Sequence, residues 1–227
     1  MTLEKRSISS PAEAAALPAD NRAKYGTLSV YELKNLPEHR PEHLNKSPVF
    51  FHRVMPEEAA RLQETLEKSG DYPPGDVARR LAARRDAFAG EVEGPQGSRV
   101  MVTYGWMALT AEPLGNTGCS FDPPPGDAYL YDFATVPQYR GQGFYPALLR
   151  YILGRLAAHG IRRAWIGTAP GNIVSQRSIS RAGFSKVADL RYVPAQAGSS
   201  PYFEIVEDNG FDPELRDLAR RAYVAAS

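Results

Sequence analysis

The feature that most constrains the fold is an apolar segment followed at once by a glycine-containing turn and a long helical pattern. Residues 128–136 read AYLYDFATV, with Asp132 as the only charge, which predicts a central strand covered on both faces. The next residues, 138–143, read QYRGQG. Apolar residues then recur at helical spacing over 144–156 and stop before Gly160. The chain is therefore predicted to pass from a buried strand through a tight turn into a helix.

A second strand and a short helix follow this unit closely. The patterns predict a strand over 163–168, a short helix over 172–182 closed by Gly183, and another strand over 186–193. A strand, a helix and a strand within fifty residues imply parallel pairing through a right-handed crossover. The fold class is therefore expected to be α/β.

The remaining segments predict further elements around this unit. The predicted strands cover 27–33, 49–54, 88–93, 100–109 and 202–206, and the predicted helices run from Pro56 to just before Gly70, over 76–84, and from Asp212 onward. Gly105 inside a strand pattern predicts a β-bulge. Residues 112–126 are rich in Gly, Pro and Asn, which predicts a loop, and residues 1–24 predict a flexible or loosely docked arm.

Charge and cysteine content exclude several classes of protein. The chain has 27 Lys+Arg against 26 Asp+Glu and a net charge of +1, which argues against nucleic-acid and membrane partners. The arginines at 79, 80, 84 and 85 predict a solvated helix face. The single cysteine, Cys119, cannot form an internal disulfide, and a cytoplasmic location is expected. The histidines lack the spacing of metal ligands, so no metal is expected.

The turn after the apolar strand predicts an anion site. Gly141 and Gly143 lie where a strand ends and a helix begins, so several backbone N–H groups point from the positive end of a helix dipole. A phosphate would bind there, and Arg140 would add a positive charge nearby. An ordinary tight turn is the alternative. The motif is not a Walker loop, and Pro146 replaces the third glycine of a dinucleotide fingerprint.

This arrangement resembles the GNAT superfamily of acyl-CoA-dependent N-acyltransferases, whose hallmark is Q/R-x-x-G-x-G/A after the fourth strand. A second similarity is Asn172, which opens a short helix that ends at Gly183 and Phe184. The resemblance extends over 49–206. It implies a single domain over 25–227 with a mixed, twisted sheet flanked by helices on both faces, an N-terminal extension and an additional C-terminal helix.

The resemblance implies acetyl-CoA or another acyl-CoA as co-substrate and no metal. In the family the fourth strand pairs with pantetheine and the turn holds the pyrophosphate, while Asn172 either contacts the cofactor or caps its helix. The thioester oxyanion would be held by an N–H near Ala134 or Val136. The implied cofactor contacts are Ala134, Thr135, Val136, Arg140, Gly141, Gln142, Gly143, Phe144, Tyr145 and Asn172.

The expected chemistry needs a proton acceptor, because only a neutral amine can attack a thioester. Asp132 is the leading candidate as the sole carboxylate of its strand, with a purely structural role as the alternative, and Tyr131 is the second candidate. Strand alternation predicts that these two side chains point to opposite faces. Tyr104 and Trp106 are expected either to line the acceptor pocket or to pack in the core.

Two positions depart from the family pattern. Many relatives have a tyrosine on the short helix that protonates the leaving thiolate, and this chain has Ile179; Tyr145 replaces a small glycine. The resemblance implies an N-acyltransferase that moves an acetyl or other short acyl group to a primary amine of a small molecule in a ternary complex. A non-catalytic acyl-CoA-binding regulatory module is the alternative. A homodimer is left open.

Overall fold

The computed structural model describes residues 27–34, 49–70, 72–115, 117–206, 217 and 221–225, so the arm predicted over 1–24 lies outside the described residues. The helices are α1 Ala59–Ser69, α2 Asp76–Ala82, α3 Phe144–Ala158 and α4 Ile173–Arg181. The strands are β1 Thr27–Lys34, β2 Phe50–Arg53, β3 Asp86–Glu93, β4 Arg99–Ala108, β5 Glu112–Pro113, β6 Cys119–Phe121, β7 Asp127–Thr135, β8 Arg163–Thr168, β9 Ser185–Val193, β10 Tyr202–Ile205 and β11 Tyr223–Ala225.

The main sheet is mixed, with its eight strands in the order β10-β9-β1-β8-β7-β4-β3-β2. Strands β7 and β8 are parallel, and the other neighbouring strands are antiparallel. Helix α3 makes the predicted crossover between β7 and β8. Strand β1 pairs with both β8 and β9, so it is an interior strand of the sheet.

Helices cover both faces of the sheet, as expected. Strand alternation explains this: in β3, Phe88 packs toward α3, whereas Ala87 and Ala89 pack toward α1. The core under α3 and α4 includes Leu130, Leu148, Ile152, Ile166 and Ile179. The core under α1 and α2 includes Leu62, Leu66, Val77, Tyr104 and Trp106. None of the helices in the described part of the chain is both long and apolar enough to cross a membrane.

A second, three-stranded sheet of order β11-β6-β5 packs over Tyr129 and Trp165. The prediction of a plain loop over 112–126 is therefore wrong in part, because this segment contains β5 and β6. These strands are two and three residues long, too short to show alternation, and β6 pairs with β11 about a hundred residues later. Most of the predicted terminal helix lies outside the described residues, and β11 is an addition to the prediction.

Candidate functional site

An open edge of β7 is the central feature of the site. Strands β7 and β8 pair from Asp127 opposite Arg163 to Leu130 opposite Ile166, and in the described residues the pairing ends there. Residues 127–130 are buried, whereas residues 131–135 are partly exposed. On its other side, β7 stays paired with β4 as far as Thr135. The two parallel strands therefore separate and leave an edge to which an extended ligand can add.

The open edge leads into the glycine turn. A short 3-10 turn, Pro137–Tyr139, follows β7, and Gly143 is the N-cap of α3. Gly141 and Gly143 have φ of +79° and +83°, a conformation that glycine adopts without steric cost. Pro146 lacks an N–H, so the first turn of α3 presents the amides of Phe144 and Tyr145. These amides and the helix dipole make the turn suited to an anion.

The backbone of β7 turns alternate residues toward the open edge. The N–H of Val136 donates to the carbonyl of Val102 at 2.9 Å, and the carbonyl of Ala134 accepts from the Thr103 hydroxyl at 2.9 Å. Ala134 and Val136 therefore direct their polar groups toward β4. The geometry does not support the oxyanion donor expected near Ala134 or Val136, because the Val136 N–H is already engaged and the polar groups of Ala134 also face β4.

Thr135 lies between these two residues and directs its N–H and carbonyl to the open edge. Arg140, a predicted phosphate contact, bends back so that its Nε donates to the Thr135 carbonyl at 3.1 Å. Its side chain is thus fixed at the junction of β7 and the turn. Gln142 is exposed at the outer end of the same turn.

Helix α4 borders the opening from the other side. The Asn172 Oδ1 accepts from the Ser175 N–H at 3.1 Å, so the expected capping role is confirmed. Ile179 is fully buried in the core beneath α3 and α4. The Ile179 side chain therefore faces the protein interior. Because it is apolar, it cannot protonate the leaving thiolate as the tyrosine of many relatives does.

Tyr145 connects three elements next to the open edge. Its ring stacks on Phe133 of β7 with the centroids 5.3 Å apart, and its hydroxyl lies 3.1 Å from the Ser175 Oγ of α4. Burial raises the pKa of Tyr145 to about 12. The phenol is therefore a neutral hydrogen-bonding group at physiological pH.

The predicted bulge lies at the inner end of the open edge. Tyr104 pairs with Ala134 and Trp106 pairs with Tyr131, so two residues of β7, Asp132 and Phe133, face one residue of β4, Gly105. A Cβ on Gly105 would lie 2.1 Å from the Phe133 ring, which explains the glycine. Asp132 has φ +54°, the left-handed conformation that is uncommon outside glycine.

The bulge turns Asp132 toward α1 and α2. Its Oδ1 accepts from the Tyr72 hydroxyl at 2.7 Å, and its Oδ2 accepts from Arg80 Nη1 at 2.6 Å. The guanidinium of Arg80 also lies 5.8 Å from the ring centroid of Tyr131. The expectation that Asp132 and Tyr131 point to opposite faces is therefore wrong, because the left-handed residue breaks the alternation.

The solvated face predicted for the arginines is also partly wrong. The side chain of Arg79 is 70% exposed, but those of Arg80 and Arg85 are only 15% exposed. Burial alone lowers the pKa of Arg80, but the charges of Asp132 and Asp76 outweigh it and raise that pKa. Arg80 is a buried cation that these two carboxylates hold in place.

The sequence profile of the acetyltransferase (GNAT) family matches residues 63–184, which is more than half of the chain. The chain belongs to the acetyltransferase (GNAT) family. The match covers α2, the bulged strand β7, the glycine turn, α3 and α4, so it includes the open edge and both of its borders.

A [ribosomal protein bS18]-alanine N-acetyltransferase of Haemophilus ducreyi is similar to this GNAT chain. It is 28% identical over 74 residues, which are 32% of this chain and 51% of that protein. The chain thus spans about half the length of this curated relative.

Solved structures share the fold at low sequence identity. A GCN5-related N-acetyltransferase from Sphaerobacter thermophilus gives a TM-score of 0.52 at 15% identity and covers 75% of this chain and 52% of that one. The aminoglycoside antibiotic 6'-N-acetyltransferase AAC(6')-Ih from Acinetobacter baumannii gives 0.50 at 13% identity and covers 66% and 100%.

Around Tyr131 the GNAT chain holds a second ion pair that sequence reasoning missed. Glu112 of β5 is buried, and its Oε2 accepts from Arg85 Nε at 2.5 Å. Burial, and then the charge of Glu112, raises the pKa of Tyr131. The ring of Tyr131 also stacks on Tyr129 with the centroids 5.6 Å apart. Tyr131 is therefore a neutral phenol between two ion pairs.

The two residues that were expected either to line the acceptor pocket or to pack in the core lie in the core. Tyr104 and Trp106 are 0% exposed and pack beneath α1 and α2. The Trp106 ring is covered by the Arg80 guanidinium at 5.0 Å. Either ring would meet an acceptor only through a change in the side chains that cover it.

His52, Glu58 and Glu91 have ligand atoms within 4.8 Å of one another. Arg61 pairs with Glu91 and lies 3.9 Å from Glu58, and His52 Nε2 lies 3.2 Å from Glu58 Oε1. The group is therefore an ion-pair network built around an arginine.

Proposed function

We propose that this protein transfers an acetyl or other short acyl group from acyl-CoA to a primary amine of a small molecule within a ternary complex. The observation that carries the proposal is the open edge of β7, which links the glycine turn to the bulge at Asp132. This edge, residues 131–135, extends about 16 Å at the rise of a strand. A ligand with phosphates at one end and a reactive group at the other would span it.

Acyl-CoA has the chemistry that this edge requires. Its phosphates would bind the amides of 141–145 at the start of α3. Its pantetheine arm carries amide groups that would pair with Thr135 as an added strand does. The thioester would then lie near Tyr131 and Asp132.

The reaction follows from this placement. The nitrogen lone pair of the amine attacks the thioester carbonyl carbon, a C–N bond forms, the C–S bond breaks, and the CoA thiolate leaves. The proton lost by the amine moves to Asp132, which Tyr72 and Arg80 hold in a fixed orientation. A thiol of pKa near 8.5 is a tolerable leaving group.

The acceptor class is a further part of the proposal. We propose that the acceptor is a small molecule and that the protein acts in the cytoplasm. The single cysteine is consistent with a reducing compartment. The similar protein of H. ducreyi is named for an alanine of a ribosomal protein, so an α-amine of a protein is the competing acceptor.

Thiol release from acetyl-CoA with a panel of amines tests the activity, and mass spectrometry of the product identifies the acylated nitrogen. Gly143→Asp is the variant to compare, because it places a carboxylate against the pyrophosphate, and Asp both tolerates a positive φ and caps helices. Gly198→Asp is the matched control, since Gly198 has the same φ of +83° in an exposed turn.

We expect Gly143→Asp to weaken CoA binding by at least about tenfold, a free-energy change of about 1.4 kcal/mol, and Gly198→Asp to leave it unchanged. Equal CoA affinity in both variants would overturn the phosphate assignment. Binding of acetyl-CoA without turnover of any amine or peptide would favour the non-catalytic module.

A further inference from the structure

Arg80 occupies a site with the chemistry of a cation receptor. Its Nε lies 2.7 Å from Asp76 Oδ2 and its Nη1 lies 2.6 Å from Asp132 Oδ2. Its guanidinium carbon lies 5.0 Å from the ring centroid of Trp106 and 5.8 Å from that of Tyr131. The guanidinium is thus surrounded by two carboxylates and two aromatic faces. Proteins use these same groups to bind cationic ligands.

These four groups are buried and so place strict demands on any occupant. The side chains of Asp76 and Asp132 are 4% and 11% exposed, and Trp106 is 0% exposed. Carboxylates this far from water need a cation beside them. Arg80 supplies that cation from within the chain.

The guanidinium lies next to the proposed reaction centre. Tyr131 and Asp132 form the inner end of the open edge of β7, where the thioester would lie. An acceptor amine that reaches the thioester therefore approaches Arg80 as well. In a partly buried site, the guanidinium repels a second positive charge that comes within a few ångström of it.

We propose that Arg80 is a specificity-determining residue: its guanidinium fills the cation site formed by Asp76, Trp106, Tyr131 and Asp132 and so excludes acceptors that carry a second cation beside the reacting amine. This inference rests on the proposed function. Such an internal charge acts by repulsion of the wrong substrate. Amines whose neighbouring groups are neutral or anionic are the accepted class.

Methylguanidinium is the probe for the emptied site, since it has the charge and planar fork of the missing side chain. Arg80→Ala opens the site. Arg79→Ala is the matched control, because Arg79 is the adjacent arginine, also pairs with Asp76, and has a side chain that is 70% exposed. Binding is measured by calorimetry and by the shift in Tm, with no acyl-CoA present.

We expect methylguanidinium to bind Arg80→Ala at least about tenfold more tightly than the wild-type chain, which is the size of one cation–π contact of about 1.4 kcal/mol. It should raise the Tm of Arg80→Ala and leave that of Arg79→Ala unchanged. Removal of Arg80 leaves two buried carboxylates without their cation, which destabilises the fold. The double variant Arg80→Ala with Asp76→Asn, which removes one of these negative charges, is therefore measured beside Arg80→Ala.

If Arg80→Ala and the double variant both fail to fold without a ligand, each is refolded in the presence of methylguanidinium. Recovery of folded protein then supports the cation site. Absence of both binding and recovery in the two variants overturns it.

A second measurement separates this inference from the proposed function. With the wild-type enzyme, a monoamine should be acylated at least about tenfold faster in kcat/KM than a diamine of the same length, and Arg80→Ala should reduce that ratio. A ratio that is unchanged in Arg80→Ala overturns the specificity role. If no amine is acylated by the wild-type chain, the proposed function fails, and the methylguanidinium result still decides whether the cation site exists.

Discussion

Asp132 adopts a backbone conformation that costs an ordinary residue about 1–2 kcal/mol, and the bulge uses it to aim the carboxylate. At φ +54° the side chain leaves the alternation of β7 and meets Tyr72 and Arg80. Strained backbone of this kind is concentrated at functional sites. The geometry thus supports Asp132 as the group that receives the proton of the amine.

Asp132→Asn is the direct test of that role, because Asn tolerates a positive φ at least as well as Asp. We expect kcat/KM for a primary amine to fall about 100-fold at pH 7. The difference in kcat/KM between the wild type and Asp132→Asn should become smaller toward pH 10. There an amine of pKa near 10 is increasingly neutral without the help of a base. The measurement is a pH–rate profile by thiol release.

Glu112→Gln is the control for that profile, since Glu112 is also a buried carboxylate near Tyr131. It should keep the wild-type shape of the profile. A loss confined to Glu112→Gln, with Asp132→Asn normal, would transfer the role of proton acceptor to Glu112.

The glycine turn could be predicted from the sequence, but the side chains around Asp132 could not. The turn is local, since its glycines and its helix follow one another in the chain. Tyr72 and Arg80 are 60 and 52 residues from Asp132, and a pattern of spacing carries no signal over such distances. One local signal existed: Arg80 lies three residues after the buried Val77, on the same helical stripe.

At the scale of elements, Tyr145 links β7, α3 and α4. Its phenol has a pKa raised by burial to about 12, against 10 in the unfolded chain. Between these two values the unfolded chain binds fewer protons than the folded protein, so stability falls as pH rises. The contribution of Tyr145 is fully present below pH 10 and is lost as the pH passes through 12.

Tyr145→Phe should remove this part of the pH dependence. Urea unfolding at pH 8 and at pH 11 measures it: wild-type stability should fall more between the two values than that of Tyr145→Phe. Tyr202→Phe serves as the control, because Tyr202 is 48% exposed. Equal pH dependence in wild type and Tyr145→Phe would contradict the burial of the phenol.

Long elements were predicted well and short ones were missed. Helix α3 was expected over 144–156 and is observed over Phe144–Ala158, because fifteen residues carry several repeats of the helical period. Strands β5, β6 and β11 have at most three residues each. Their existence depends on partners far along the chain, which no local pattern reveals.

At the scale of the whole molecule, the first strand belongs to the interior of the main sheet. Strand β1 pairs with β8 over Ser29–Lys34 and with β9 over Thr27–Glu32. Its loss would leave two unpaired strand edges in the middle of the sheet. The cofactor site proposed above uses residues between 131 and 175, and it assigns no role to the region before β1.

A chain that starts at Tyr25 should therefore bind CoA as the full chain does, within about twofold. A chain that starts at Asn35 lacks β1 and should fail to fold. Calorimetry on the first and circular dichroism on both make the comparison. A large loss of CoA affinity in a folded chain starting at Tyr25 would show that residues 1–24 contribute to the cofactor site.

Site-resolved amide hydrogen exchange, measured with and without CoA, decides whether acyl-CoA binds along the open edge of β7 with its phosphates at the turn. CoA should slow exchange at Thr135, Phe144 and Tyr145 at least about tenfold, and leave the amides of Tyr202–Ile205 in β10 unchanged. Unaltered exchange at Thr135 and Phe144 with CoA bound, or protection confined to other elements, would contradict the account.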